Sequence, residues 1–230
     1  MKQNVIISAA ILAAGLALGS WILKSGIDNF VFNDRVVSVR GLAERDVEAN
    51  HATWSIGYTL AGNTLKDLYN TAKGNNSVIT SFLTDNGIPS ADVYVNPPSL
   101  YDAQTSRYRS DSFRYNYTLE YTITVSTSEV DKVRQLQDRQ GELLDRGIAI
   151  NNSNVYYEYT DLNSIKPEMI AEATHAAREA ALRFADDSDS NLGKIKTASQ
   201  GQFSIEDSDS STPFIKKVRV VSTIIYYLED

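Results

Sequence analysis

The chain has no cysteine among its 230 residues. That excludes disulfides, thiol catalysis, thiolate metal sites and a lipid-modified N-terminal cysteine. In an oxidising compartment it also avoids mispairing. Histidine is scarce too, with only His51 and His175. His51 falls in a predicted strand on the face opposite Trp54, and His175 falls on a predicted helix. Neither has a partner at metal-ligand spacing, so both are expected to be ordinary sheet or surface positions. No Gly-x-Ser-x-Gly elbow, phosphate-binding loop or dinucleotide fingerprint occurs. Positive charge is in short supply: the formal net charge is -7, and beyond residue 30 the chain holds 20 basic and 28 acidic side chains. Nucleic acid and anionic lipid are therefore not expected as partners, because both need clustered cations. No catalytic residue, metal ligand or cofactor site is expected.

Against these absences stands one long apolar run. Val5 to Leu23 is uncharged over 19 residues and is bracketed by Lys2 and Lys24. At about 1.5 Å per residue a helix of this length crosses the roughly 30 Å of a bilayer core. The run is all-round apolar rather than striped, which disfavours a buried core helix. Two readings send the rest of the chain across a membrane. Ala17-Leu18-Gly19 before Ser20 is a passable cleavage site for a signal peptide. The run continues through Trp21, Ile22 and Leu23 past that site, which favours an uncleaved anchor with Trp21 at the interface. The expected organisation is an anchor or signal peptide over 1–24, a tether over 25–34 and one domain over 35–230.

Periodicity supplies the rest. Val36 to Arg40 reads as a strand ending at Gly41, with a hairpin at Glu44-Arg45-Asp46. From Val47 to Leu60, residues Ala52, Trp54, Ile56, Tyr58 and Leu60 share one face of a half-buried strand. Leu65, Leu68, Ala72, Ile79, Phe82 and Leu83 mark a first helix, capped at Asn63 or Thr64 and stopped at Asn86-Gly87. Phe113 to Val125 is the cleanest alternation in the chain. Ser128 and Asp131 are expected to cap a second helix carrying Val130, Val133, Leu136, Leu143 and Leu144, ended by Gly147. Val155, Tyr157 and Tyr159 mark a further strand. A third helix over about 165–185 presents Ile170, Ala173, Ala177, Ala180, Ala181 and Phe184, and its small residues suit close packing on a sheet. The last strand, Phe214 to Leu228, is apolar on both faces, so both are expected to be covered. Three helices against long, mainly antiparallel strands predict an α+β fold.

Asp187 to Gly193 begins like a calcium loop but fails at two places. Leu192 stands where the loop needs glycine and Ala198 where it needs the bidentate acid, so a solvated turn is expected. Glu206 to Ser210 is expected to be a second such turn. Asn75, Asn116 and Asn151 each open a glycosylation triplet, which matters only in a eukaryotic secretory pathway. Tyrosine is dense between Tyr94 and Tyr121. Tyr115, Tyr117 and Tyr121 obey the strand period and are expected to be the buried face of their strand. Tyr101 and Tyr108 lie outside any periodic segment and are the candidates for a contact surface.

Val37-Ser38-Val39-Arg40-Gly41-Leu42-Ala43-Glu44 after an export segment, followed by an alternating strand ending near Ile56-Gly57, resembles the opening of SIMPL-domain proteins. Gly87-Ile88 with Asp92-Val93 resembles the family's turn after its first helix. The alanine-rich helix with Ala173, Ala177-Arg178 and Ala180-Ala181, and then Leu192-Gly193-Lys194-Ile195, resembles its last helix and the strand that follows. The resemblance spans roughly residues 35–228. Ala49-Asn50 stands where the family often has Pro-Asp at a strand entry. The resemblance implies an exported bacterial α+β protein, periplasmic or envelope-associated. Some relatives are linked to oxidative-stress tolerance or are surface antigens, and one assembles into a large hollow oligomer. The family has no established catalytic residues to carry over.

Together these readings predict a non-enzymatic protein anchored in the inner membrane by a single pass, with its C-terminal domain in the periplasm or outside. Signal cleavage would instead leave it soluble in the periplasm. The expected partners are the membrane, through residues 5–23, and further copies of the chain. That domain is expected to self-associate and to support envelope integrity or stress tolerance. The alternative is an extracytoplasmic module that binds a small ligand through Tyr101, Tyr108 and neighbouring loops. A hydrolase working with carboxylates alone would need two acids converging in one pocket.

Overall fold

The computed structural model describes residues 15–16, 18–24, 35–103 and 114–229. Residues 18–24 are helical, with Trp21, Ile22 and Leu23 exposed. Most of the apolar run from Val5, the tether over 25–34, and Tyr108 lie outside the described residues. Among the described residues no helix is long and apolar enough to cross a membrane. From residue 35 the described residues form nine strands, four α-helices and one short 3-10 turn. It is an α+β protein with antiparallel sheets, divided into two compact units.

The larger unit comprises 45–165 and 205–218. Its sheet is centred on β2 (His51–Gly62), which pairs antiparallel with β5 (Tyr117–Thr127) on one side and β6 (Ile150–Glu158) on the other. Outside β5 lie two short edge strands, β3 (Val93–Val95) and β4 (Ser99–Asp102). The predicted alternation holds: Trp54, Ile56 and Tyr58 on β2 share a buried face with Leu119, Tyr121, Ile123 and Val125 on β5. Onto that face pack α1 (Leu65–Asp85), α2 (Val130–Asp138) and α3 (Gly141–Asp145). Their contributions are Leu68, Ala72, Ile79, Phe82 and Leu83, then Val133 and Leu136, then Leu143.

Helices α1 and α3 end the same way. Gly87 (φ +92°) and Gly147 (φ +79°) take the left-handed conformation that glycine adopts without steric cost. The next residue, Ile88 or Ile148, donates its N–H back to Leu83 O (3.1 Å) or Leu143 O (2.9 Å) and buries its side chain. Several expectations need correction. The second predicted helix is two: Arg139 and Gln140 interrupt it before Gly141, a poor helix former, and Leu144 is exposed. The described residues beyond 35 thus form four α-helices rather than three. Neither Thr64 nor Ser128 caps with its side chain; Glu129 is the residue before α2. Tyr115 lies before β5 and is exposed, because pairing with β2 begins only at Tyr117.

The turn before the last strand is held by Asp209. Its carboxylate accepts the N–H groups of Ser211 (2.7 Å) and Thr212 (2.9 Å) and both their hydroxyls. Those hydrogen bonds, the Thr212 hydroxyl first, lower its pKa to about 2. A depressed carboxylate contributes stability that is present above its unfolded pKa and lost as pH falls through its folded one. Urea midpoints of wild type and Asp209→Asn are therefore expected to converge as pH falls from 3.8 toward 2. A gap between them that stays constant across that window would show that the carboxylate charge contributes nothing.

The smaller unit comprises residues up to 44, 166–204 and 219–230. Its sheet has the order β1 (Val36–Glu48), β9 (Ile215–Glu229), β7 (Asn191–Gln200), and β8 (Ser204–Asp207) also pairs with β9. Against it lies α4 (Leu162–Asp187), whose buried stripe is Met169, Ala173, Ala177, Ala181 and Ala185. These small side chains let the helix backbone approach Gly41 closely. An ideal Cβ on Gly41 would sit 1.8 Å from Ala173 O and 2.4 Å from Ala177 N. Gly41 is therefore inside β1, not at its end, and the hairpin expected at Glu44-Arg45-Asp46 does not form. Strand pairing breaks at Ala49-Asn50 instead, and β1 and β2 belong to different sheets. Phe184, expected on the buried stripe, is 59% exposed. On β9 one face is buried (Val218, Val220, Ser222, Ile224, Tyr226), whereas Val221, Ile225 and Tyr227 on the other are only half covered.

Candidate functional site

Tyr101 stands on edge strand β4, paired with Thr118, and is 49% exposed. Its face of the sheet is the one turned away from α1. The pairing places Tyr94, Thr118, Thr122, Thr124 and, across β2, Thr53 and Ser55 on that same face. Tyr101 lines none of the clefts described below. His51 also lies on this face, its Nε2 2.9 Å from Ser126 Oγ, and His175 sits exposed on α4 with Nδ1 3.7 Å from Glu179. Among the described residues no group of three or more His, Asp or Glu side chains is placed to hold a metal ion. Of the Asp187–Gly193 segment, expected to be a turn, only Ser188 to Ser190 turn the chain after α4; Asn191 to Gly193 already belong to β7. Asp189 adopts φ +52° there, and Ser190 N–H bonds Ala185 O at 2.9 Å.

Several concavities occur in the larger unit. One, about 190 Å³, lies beside Glu129, Asp131 and Arg134, whose guanidinium sits 3.6 Å over the Phe214 ring. A second, about 390 Å³, is lined by Tyr156, Tyr159, Glu206 and Lys216 among others. Lys216 is only 6% exposed; its ammonium pairs with Asp207 and lies 5.6 Å from the Tyr156 ring centre, so a buried charge is compensated rather than idle.

A third is a cleft of about 630 Å³ between α1 and the segment that leaves β3. One wall is the outward stripe of α1: Tyr69, Lys73, Asn76, Ser77, Thr80 and Ser81, recurring at helical spacing. Val95, Asn96, Pro97 and Pro98 form the other wall, and Tyr121 lines it from β5. Tyr121 stacks on Tyr58, with ring centres 5.8 Å apart and planes 12° from parallel. The Tyr58 hydroxyl shares its one hydrogen between Ala72 O (3.0 Å) and Asn76 Oδ1 (2.7 Å). Burial pushes both phenols up, so neither ionises near neutrality. Asn96 donates its Nδ2 to Thr124 Oγ1 at 2.9 Å, which holds its amide on the sheet face turned away from α1. The Asn76 amide is held by Tyr58.

The SIMPL family model, described as "Protein of unknown function (DUF541)", matches residues 37–224. The chain belongs to the SIMPL family. The match runs from the start of β1 to Ile224 on β9, so it takes in both units and both sheets. The marks that suggested it take on structural meaning here. In this SIMPL chain, Gly41 is where α4 meets β1, Gly87-Ile88 closes α1, and Ala173 and Ala177 lie against the sheet. Ala49-Asn50 is the entry to β2, where Asn50 Oδ1 accepts the Thr160 N–H at 2.9 Å. No curated protein matches the chain.

The α1 stripe was not singled out from sequence. Its residues fall on the polar face of an amphipathic helix, which ordinarily faces solvent. Nothing local shows that Pro97-Pro98 lies across from it.

Proposed function

We propose that this SIMPL chain is a non-enzymatic extracytoplasmic domain, held at the inner membrane by residues 5–23, that assembles with copies of itself and supports envelope integrity or stress tolerance. Family membership and the length of the apolar run support the placement. The observation that carries the assembly is the sheet of the smaller unit. The face of β9 away from α4 exposes part of Val221, Ile225 and Tyr227; Leu42 on β1 is 44% exposed, and β7 is solvent-exposed along most of its length. A half-covered sheet face that carries apolar side chains beside the Arg219–Glu44 ion pair, next to an accessible strand, is a surface that a second copy can cover. Resemblance to stress-linked relatives supports the physiological role.

Sedimentation of the full chain in nanodiscs at tens of micromolar tests the assembly. Oligomers are expected, and Ile225→Lys or Leu42→Lys is expected to dissociate them. A strict monomer in the wild type sinks the reading. Mass spectrometry of the native N-terminus tests the anchor: an intact start is expected, and a peptide beginning at Ser20 would show cleavage instead.

A second reading, a ligand-binding module, is favoured by the cleft beside α1. Its volume of about 630 Å³ is that of a small-molecule site.

A further inference from the structure

We infer that the cleft between α1 and Pro97-Pro98 binds an acidic oligosaccharide, a class of ligand that the ligand-binding reading leaves open and on which this inference rests. Shape comes first. The α1 wall runs from Tyr69 to Ser81, about 18 Å at the helical rise, which accommodates several sugar residues in line rather than one compact molecule.

Hydrogen-bonding chemistry comes next. The walls carry neutral hydroxyls and amides: Asn76, Ser77, Thr80, Ser81 and Asn96. Asn76 gives its Oδ1 to Tyr58, so its Nδ2 hydrogens are the part left for a ligand. The hydroxyls of Ser77, Thr80 and Ser81 beside it can donate or accept, so the α1 wall matches sugar hydroxyls in either role. Because Tyr58 holds the Asn76 amide, little of its side-chain entropy is lost on binding. The exposed Tyr69 ring and the two proline rings supply flat apolar surfaces for the C–H faces of sugar rings.

Charge selects among sugars. Among the described residues Lys73 is the only charged side chain lining the cleft and no carboxylate lines it, in a chain whose net charge is -7. A ligand carboxylate would meet a cation here and no repulsion within the cleft. An added peptide strand fits poorly. Edge strand β3 is three residues long and is followed by Asn96 and then two prolines, which have no N–H to offer.

A sugar carboxylate occurs both on uronate polysaccharides and on the lactyl-bearing sugar of cell-wall glycan, and the test separates these sources. Full-length chain in nanodiscs is titrated by calorimetry with tetragalacturonate, with a muramic-acid disaccharide and with neutral chitotetraose. At least one acidic probe is expected to bind about tenfold or more tightly than chitotetraose, the size of one charge-assisted hydrogen bond. Which one binds names the source. Lys73→Gln is expected to erase that preference, and Tyr69→Ala to weaken every probe. Lys73 and Tyr69 are exposed, so an unchanged melting temperature verifies the fold of each variant. Equal binding of neutral and acidic probes, or a preference that survives Lys73→Gln, overturns the acidic class while leaving a ligand site. No binding of any probe at millimolar concentration overturns both this inference and the ligand-binding reading.

Discussion

Gly41→Ala is expected to destabilise the chain by about 3 kcal/mol or more, at the upper end of what overpacking costs. The added Cβ would sit 1.8 Å from Ala173 O and 2.4 Å from Ala177 N. Both are backbone atoms of α4, so no change of rotamer relieves the clash. The helix must lift from the sheet, which opens the cluster of Val39, Ala177, Ala181, Ile224 and Tyr226. Urea denaturation followed by circular dichroism measures the loss. Ser38→Ala, on the exposed face of the same strand, should stay within about 0.5 kcal/mol of wild type. A loss below about 1 kcal/mol for Gly41→Ala would show that the helix shifts cheaply and that the close approach is not a constraint.

Trp54→Ala should cost about 4 kcal/mol, within the range for deleting a buried tryptophan. Trp54 is 0% exposed at the centre of the larger unit's core. Its Nε1–H donates to Ser153 Oγ at 2.9 Å, and Ser153 donates in turn to Gln140 Oε1. The substitution thus leaves a cavity and removes a donor from the Ser153 hydroxyl. Trp54→Phe retains most of the volume and loses the hydrogen bond, so it should cost about 1–3 kcal/mol. Far-UV circular dichroism is the readout, because both changes remove the reporting fluorophore. Equal losses for the two variants would mean that the hydrogen bond, not the packing, dominates.

The two sites differ in how visible they are along the chain. Trp54 belongs to an alternation that runs without a break from Ala52 to Leu60, and its burial was legible at once. Gly41 was misread. Glycine at a strand end and glycine under a closely packed helix look alike in a sequence, because both are simply positions without a side chain. That single ambiguity moved the predicted hairpin to Glu44–Asp46 and put β1 beside β2. Phe184 was misplaced for a related reason: on a stripe of alanines a lone aromatic resembles a core residue, yet the approach that suits Ala173 and Ala177 leaves no room for a large ring beneath the helix.

The candidate cleft shows the same limit. Asn76 and Asn96 are 20 positions apart and neither stands in a motif. Both line the cleft only because β3 pairs with β5 and α1 packs over β5's buried face. Tyr121 was predicted to be buried, and it is, but its role in lining a cleft depends on Pro97-Pro98 leaving the sheet edge beside it.

What the sequence determined by itself is everything with a short repeat or a local stop. The strand faces of β2 and β5, the Gly-Ile ends of α1 and α3, the alanine stripe of α4, the acidic balance and the apolar run from Val5 are all of this kind. Each is set by residues within a few positions of one another. The tertiary structure alone decided which strands share a sheet, why Gly41 must lack a side chain and where a cleft opens. Those outcomes rest on contacts between residues far apart in the chain, such as Gly41 with Ala173, and no local period encodes the choice of a distant partner.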